Sequence, residues 1–210
     1  MQQLEASLSC MSSNEYHFIS RWRVEGTVEE VSAILTDTAS LPRWWPSVYL
    51  EVQTLQPGKE DGTGKIVHLH TRGWLPHTLH WTLRVVESRH PRGFTLEAHG
   101  DFNGREIWRL VQEGSWVNAI YDWKIRADKS LLRTLSFAFK PVFAANHRWA
   151  MARGEESLKL ELARRRAGCT TISEQIPYPP GPARFSVVVL ACACVAMIGV
   201  VGGCSFLLLR

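Results

Sequence analysis

Cysteine is missing from the body of this chain. Its five cysteines are Cys10, Cys169, Cys192, Cys194 and Cys204, so residues 11–168 hold none. A small secreted scaffold stapled by disulfides is thereby excluded. No pair is spaced Cys-x-x-Cys, which removes the zinc ribbon and the thioredoxin-type redox motif. An excess of one charge is also missing. Lys+Arg 24 against Asp+Glu 20 leave a net charge of +4, and the two signs are interspersed. No basic stripe or aromatic-plus-basic groove stands out, so no nucleic-acid partner is expected. The phosphate-loop order G-x-x-x-x-G-K-[ST] and the nucleophile elbow G-x-S-x-G are both absent. Gly58, Gly62 and Gly64 surround Lys59, Glu60 and Asp61 as a hairpin connection would. The opening MQQLEASLSC has neither the basic start nor the apolar stretch of a signal peptide.

What is present is a globular composition. The 210 residues are 45% hydrophobic and 21% charged, which suits one domain with an appendage. Nine tryptophans predict either a large core or a cavity with aromatic walls. One long apolar run does occur. Phe185–Leu209 carries no charge and no proline. As a helix it would reach roughly 37 Å at about 1.5 Å per residue, more than a hydrocarbon core of about 30 Å. A single transmembrane helix is expected over 185–209, with the lipid bilayer as a partner. Arg164, Arg165, Arg166 and Arg184 precede the run and only Arg210 follows it. That bias places the large N-terminal domain in the cytoplasm.

Four segments follow: a loose N-terminus over 1–14, a folded domain over 15–167, a proline-rich linker over 168–184 and the anchor over 185–209. Glu15–Glu25 alternates as a strand. Thr27 is a helix N-cap with Glu30 as its capping-box partner, and Val28, Val31, Ile34 and Leu35 recur at helical spacing. Six strands are predicted over Val48–Leu55, Gly64–Arg72, Thr78–Glu87, Phe94–Phe102, Glu106–Val111 and Trp116–Arg126. Asn103-Gly104 reads as a two-residue hairpin turn. A long helix is predicted from about Pro141, in its first turn, to Arg166, with Gly168 as its stop. It is the one element able to cover so long a meander.

Three stretches carry a resemblance to a known superfamily. They are Leu41-Pro42-x-Trp44-Trp45-Pro46-x-Val48, Gly100-Asp101-Phe102-x-Gly104-x-x-x-Trp108, and Asn146-His147-x-x-Ala150-Met151-x-x-Gly154-Glu155-x-x-Leu158. Over residues 15–167 the chain resembles the START/Bet v 1-like (SRPBCC) superfamily, in its polyketide cyclase/dehydrase-like and lipid-transport group. The resemblance implies an α+β helix-grip fold, a curved antiparallel sheet wrapped around a long C-terminal helix. It also implies an apolar ligand held between the two, with cyclisation or dehydration in some members and binding or transport in others.

Strand alternation gives a cavity face independently. Val67, Leu69 and Thr71 share it with Leu79, Trp81, Leu83 and Val85. Phe94, Leu96, Ala98, Gly100 and Phe102 follow, then Ile107 and Arg109, then Val117, Ala119, Tyr121, Trp123 and Ile125. The ligand-lining candidates are Trp44, Leu69, Trp81, Leu83, Leu96, Arg109, Tyr121, Trp123 and Phe143. The partner expected is a small hydrophobic or amphipathic molecule, with no cofactor and no metal ion. His68, His70 and His80 could converge from two adjacent strands, but a solvated sheet face explains them as well. Pairings follow from register: His70 opposite His80, Arg84 opposite Glu97, His80 opposite Asp101, and Asp101 opposite Glu106.

Binding is the favoured function. The alternative is a cyclase- or dehydratase-like enzyme, in which His147 serves as general acid or base, Tyr121 donates a hydrogen bond and Arg109 steadies an enolate or carboxylate. That alternative requires all three to open onto one cavity. A protein-interaction adaptor with a collapsed cavity is the third reading.

Overall fold

The computed structural model describes residues 15–127, 130–168 and 175–183. Strand β1 (Glu15–Glu25) leads into helix α1 (Val28–Thr36), a single 3-10 turn (Thr38–Ser40) and the short helix α2 (Leu41–Trp44). Strands β2 (Tyr49–Gln56), β3 (Ile66–Arg72), β4 (Thr78–Ser88), β5 (Gly93–Gly100), β6 (Phe102–Glu113) and β7 (Trp116–Ala127) follow, then helix α3 (Ser130–Ala167). All strand pairs are antiparallel. The sheet order is β1-β7-β6-β5-β4-β3-β2. The long return from β1 to β7 lets the first strand close onto the last, as a curved sheet gripping a helix requires.

Local chemistry explains the entry. Thr27 accepts from the Glu30 amide at 3.3 Å, and the Glu30 carboxylate accepts from the Thr27 amide at 2.9 Å. This capping box satisfies two of the free amides at the start of α1. Val31, Ile34 and Leu35 then bury one face of the helix. The Arg166 guanidinium, at the far end of α3, donates to both Glu30 oxygens at 2.8 and 2.6 Å. Gly168 follows α3 with a φ of +56°, the left-handed stop expected of it.

Two sequence expectations are corrected here. Asn103-Gly104 is not a turn. The chain reverses at Gly100-Asp101, where the Asp101 amide donates to the His80 carbonyl at 3.1 Å and its carboxylate accepts from the His80 amide at 3.0 Å. Asn103 and Gly104 lie inside β6, opposite Arg126 and Ile125. Gly104 is glycine because strands crowd it: a Cβ there would sit 2.2 Å from the Lys124 carbonyl oxygen. The expected pairing of Asp101 with Glu106 goes with the turn, since Glu106 faces Leu96 on β5. His70 does face His80, and Arg84 does face Glu97. The second correction concerns Pro141, which is inside α3 rather than in its first turn. Residues 130–140 contain no glycine or proline, so the helix runs on ahead of Pro141 and tolerates the one lost amide.

The core lies between the inner sheet face and the helices. Its aromatic rings form a continuous chain, from Trp45 to Trp22 at 5.4 Å and from Trp22 to Trp108 at 5.1 Å. It continues from Trp108 to Tyr121 at 4.6 Å between centroids. Among the described residues no helix is long and apolar enough to cross a membrane. The expected anchor, 185–209, lies outside the described residues, as does the N-terminal segment 1–14.

Candidate functional site

A cavity of about 750 Å3 lies between the inner face of the sheet and α3. It runs the length of β3 and β4, from Lys65 and Ser88 at one end to Arg72 and His77 at the other. The α3 wall is the stripe Phe143, Asn146, His147, Ala150 and Met151, whose spacing of three and four puts it on one helical face. On β1, Tyr16 and Phe18 point inward with Trp22 and Val24, as alternation demands.

The predicted lining residues divide. Trp81, Leu83, Leu96, Tyr121, Trp123 and Phe143 stand on the cavity wall. Trp44 and Leu69 are fully buried but do not reach it. Trp44 belongs to the packing under α2, with its ring 5.5 Å from that of Trp45. Arg109 is on the wrong face. Its side chain is half exposed on the outer surface, 3.9 Å from Asp122, which also accepts from His17 at 2.9 Å. The displaced turn is the cause. Moving the reversal from Asn103-Gly104 to Gly100-Asp101 shifts the β5–β6 register by five residues, pairing Glu106 with Leu96 in place of Asp101, and any odd shift exchanges the two faces of a strand. Phe102, Glu106, Trp108 and Leu110 therefore point inward, and Ile107 and Arg109 point out.

That exchange brings in a residue the sequence reading missed. Glu106 is 3% exposed and lines the cavity. Burial pushes its carboxyl up to about 8, against the lesser opposing pull of the Tyr121 hydroxyl and Trp123 indole beside it. Tyr121 and Trp123 approach it as donors, but Oε1 of Glu106 and Nε1 of Trp123 are both buried without a hydrogen bond of good geometry. Burial and the Glu106 charge together raise the phenols of Tyr49 and Tyr121 far above their ordinary value. At neutral pH the cavity thus holds a protonated carboxylic acid beside two un-ionised phenols. One signal was available: the alternation Phe102-x-Gly104-x-Glu106-x-Trp108-x-Leu110 leaves one acid on an apolar face.

His147 is on the cavity wall and 8% exposed. Burial, with the Arg148 charge adding, lowers its imidazole to about 4, so it is neutral near pH 7. Its Nε2 shares a hydrogen bond with Ser20 Oγ at 3.0 Å, and its ring stacks on Phe18 at 4.4 Å. One nitrogen is thus committed to β1, as in a packing histidine. His147 and Tyr121 share the cavity, with ring centroids 6.2 Å apart. The three-residue catalytic arrangement fails at Arg109.

On the outer face, His70 and His80 stack with centroids 4.2 Å apart, and His68 and His80 at 5.7 Å. Rings stacked in parallel do not turn their nitrogens toward a common point. Among the described residues no group of three or more His, Cys, Asp and Glu could hold a metal ion.

The buried acid makes a pH prediction. The folded Glu106 value is raised, so its contribution is fully present below the unfolded value of 4.5 and is lost as pH rises through about 8. Glu106→Gln cannot ionise. It should match the parent at pH 4 and exceed it at pH 9 by several kcal/mol, on the order of 5 at 1.36 kcal/mol per pH unit across the gap between 4.5 and about 8. Urea unfolding at the two pH values measures this. Equal differences at both would show that Glu106 ionises freely in the folded state.

The family described as polyketide cyclase/dehydrase and lipid transport matches residues 19–163. The fold is similar to the ZhuI aromatase/cyclase from Streptomyces sp. R1128, with TM-score 0.58 and 16% identity, covering 72% of this chain and 96% of that one. A protein from Thermus thermophilus aligns with TM-score 0.57 and 11% identity over 68% of this chain and 97% of its own. A conserved protein from Geobacillus kaustophilus aligns with TM-score 0.55 and 14% identity, covering 71% and 96%. At these identities the likeness is one of fold. No curated protein matches the sequence.

Proposed function

The chain belongs to the polyketide cyclase/dehydrase and lipid-transport family, and on that premise we propose that its domain binds a small hydrophobic or amphipathic molecule in the cavity between sheet and α3. The observation that carries this reading is the cavity itself. At about 750 Å3 it falls within the roughly 300–1,000 Å3 of small-molecule sites. Aromatic and aliphatic side chains would supply most of the affinity, and the few inward polar groups the orientation. The uncharged run 185–209 would tether the domain to a bilayer, with the arginines before it on the cytoplasmic side. A tethered domain meets ligands drawn from that membrane at raised effective concentration.

The test is solvent extraction of the purified full chain followed by mass spectrometry, with Leu83→Trp and Leu96→Trp as cavity-filling variants. A bound lipid or polycyclic species should accompany the parent and fall severalfold in both variants. A parent that carries none, and takes up no fatty acid or polycyclic probe, would favour the adaptor reading. Carbonate washing of membranes tests the tether: release of the full chain would show that 185–209 does not span.

One observation favours the cyclase-like reading as a second. Glu106 places a protonated carboxyl on the cavity wall beside the Tyr121 hydroxyl, and a raised carboxyl is suited to general-acid work near neutral pH. In that case Glu106→Gln would lose turnover and keep ligand uptake.

A further inference from the structure

Glu106 and Trp123 are direct register partners across β6 and β7. Both line the cavity. The indole approaches the carboxyl as a donor, but Oε1 of Glu106 and Nε1 of Trp123 are buried and neither makes a hydrogen bond of good geometry. A buried polar atom left unsatisfied costs about 1–3 kcal/mol, and here two atoms of complementary type on neighbouring strands of one wall are poorly satisfied by each other. The pair has apolar neighbours in Leu96, the register partner of Glu106 on β5, and Phe102, whose ring lies 5.4 Å from that of Trp123. The Tyr121 and His147 rings, 6.1 and 5.1 Å from Trp123, are the polar side chains closest to the pair on the wall.

We propose that Glu106 Oε1 and Trp123 Nε1 form a recognition subsite for a single hydroxyl on an otherwise apolar ligand, a phenol or an alcohol. The reasoning is one of matching donors to acceptors. An indole nitrogen can only donate. A carboxyl oxygen accepts when ionised and can donate or accept when protonated. A ligand hydroxyl accepts from Trp123 and meets Oε1 in either state of Glu106. A ketone oxygen meets both only while the acid is protonated. An ammonium group leaves the indole N–H unpaired, and a plain hydrocarbon leaves both atoms unpaired. Tyr121 supports the subsite from β7, because its hydroxyl leans on the Glu106 carboxyl and holds its orientation.

This inference rests on the ligand-binding reading of the cavity and adds the chemistry of what enters. The test is calorimetric titration of the purified full chain with 2-naphthol, 2-methylnaphthalene and 2-naphthaldehyde, molecules of nearly one shape that differ in the polar group. The parent should bind 2-naphthol at least tenfold more tightly than 2-methylnaphthalene. Trp123→Phe removes the donor and keeps a ring, and Glu106→Leu removes the acceptor. Each should bring the ratio below about three whatever it does to the affinity for 2-methylnaphthalene itself, with folding checked by circular dichroism. If Glu106→Leu does not fold, Trp123→Phe and Glu106→Gln decide. Glu106→Gln keeps an accepting oxygen and should retain most of the preference. Equal affinity of the parent for 2-naphthol and 2-methylnaphthalene overturns the subsite and leaves the cavity reading intact. So does a preference that survives Trp123→Phe. Tighter binding of 2-naphthaldehyde than of 2-naphthol assigns the pair to a carbonyl and also overturns it. Failure of all three probes to bind removes the cavity reading and this subsite with it.

Discussion

Gly154→Val is expected to unfold the domain or leave it without a closed cavity. Gly154 lies on the α3 face that meets the Trp cluster. A Cβ there would stand 2.3 Å from Trp45 Cζ2 and 2.7 Å from Trp22 Cζ2. Neither ring can step aside, because Trp45 and Trp22 are 5% and 2% exposed and pack edge-on to each other. Overpacking a close-packed core commonly costs about 1–3 kcal/mol. Here rigid rings meet a helix backbone, so alanine alone should cost about 3 kcal/mol and valine more than about 4 kcal/mol. Because the same helix face carries His147, Ala150 and Met151 on the cavity wall, lifting α3 opens the cavity as well. Thermal unfolding and uptake of a polycyclic probe should fail together. The control is Gly154→Ala combined with Trp45→Leu, which makes room for the methyl group. The double variant should be less destabilised than the sum of the singles, as expected for residues in contact. Strict additivity would mean that the ring is not what the new methyl meets.

The second large effect concerns the clamp between α2 and α3. Arg43 forks onto Glu161, Nη1 to Oε2 at 2.8 Å and Nη2 to Oε1 at 2.6 Å, while Arg165 Nε donates to Oε1 at 2.8 Å. The Glu161 side chain is 1% exposed. Burial alone would raise its carboxyl, but the hydrogen bonds and charges of Arg43 and Arg165 outweigh burial and hold it below the ordinary carboxylate value. Glu161 is buried but the Arg43 side chain is 56% exposed, so the cost of removing Arg43 lies between about 1 kcal/mol for a surface pair and about 3–5 kcal/mol for a fully buried one. Arg43→Met should cost about 1–3 kcal/mol, since solvent screens the exposed guanidinium and Arg165 remains on Glu161. Arg43→Met with Glu161→Met should recover most of the loss, because the buried carboxylate that would be left short of a partner is removed with it. In the parent this contribution is present above the unfolded carboxylate value and is lost as pH falls through the lower folded value. The clamp and the Glu106 acid therefore act at opposite ends of the pH scale. Urea midpoints for the parent and the Arg43→Met and double variants at pH 7 measure the clamp. A double variant as unstable as the single would show that shape at α2, rather than the ion pair, is what the helix contact needs.

Sequence reading worked where the physics is local. The Thr27–Glu30 capping box spans three residues and needs only its own backbone. The strand Glu15–Glu25 coincides with β1 because alternation over eleven residues cannot be mistaken for a helix. The stop at Gly168 is a single left-handed residue. The turn at Asn103-Gly104 failed for the opposite reason. Its two-residue signal is a local preference, whereas Gly104 serves a distant contact with the Lys124 carbonyl across the sheet. One misplaced turn was enough to turn Arg109 inward and Glu106 outward in the reading of β6. The candidate site lost one residue and missed another through that one odd-numbered shift of register.

Hydrophobic period, caps and breakers were enough to set the order of elements, the α+β class, the apolar faces of β3, β4, β5 and β7 and the presence of a long covering helix. All of these signals act within a few residues. Where β6 reverses, how far α3 extends ahead of Pro141 and which polar groups the cavity contains were settled only by the packed chain. Cross-strand register, the closeness of two backbones at Gly104 and the seating of Gly154 on two indole rings depend on atoms far apart in the chain. Only when the strands are paired does Glu106 stand beside Trp123 and away from water, and burial is what turns an ordinary glutamate into a neutral acid facing a ligand-sized space.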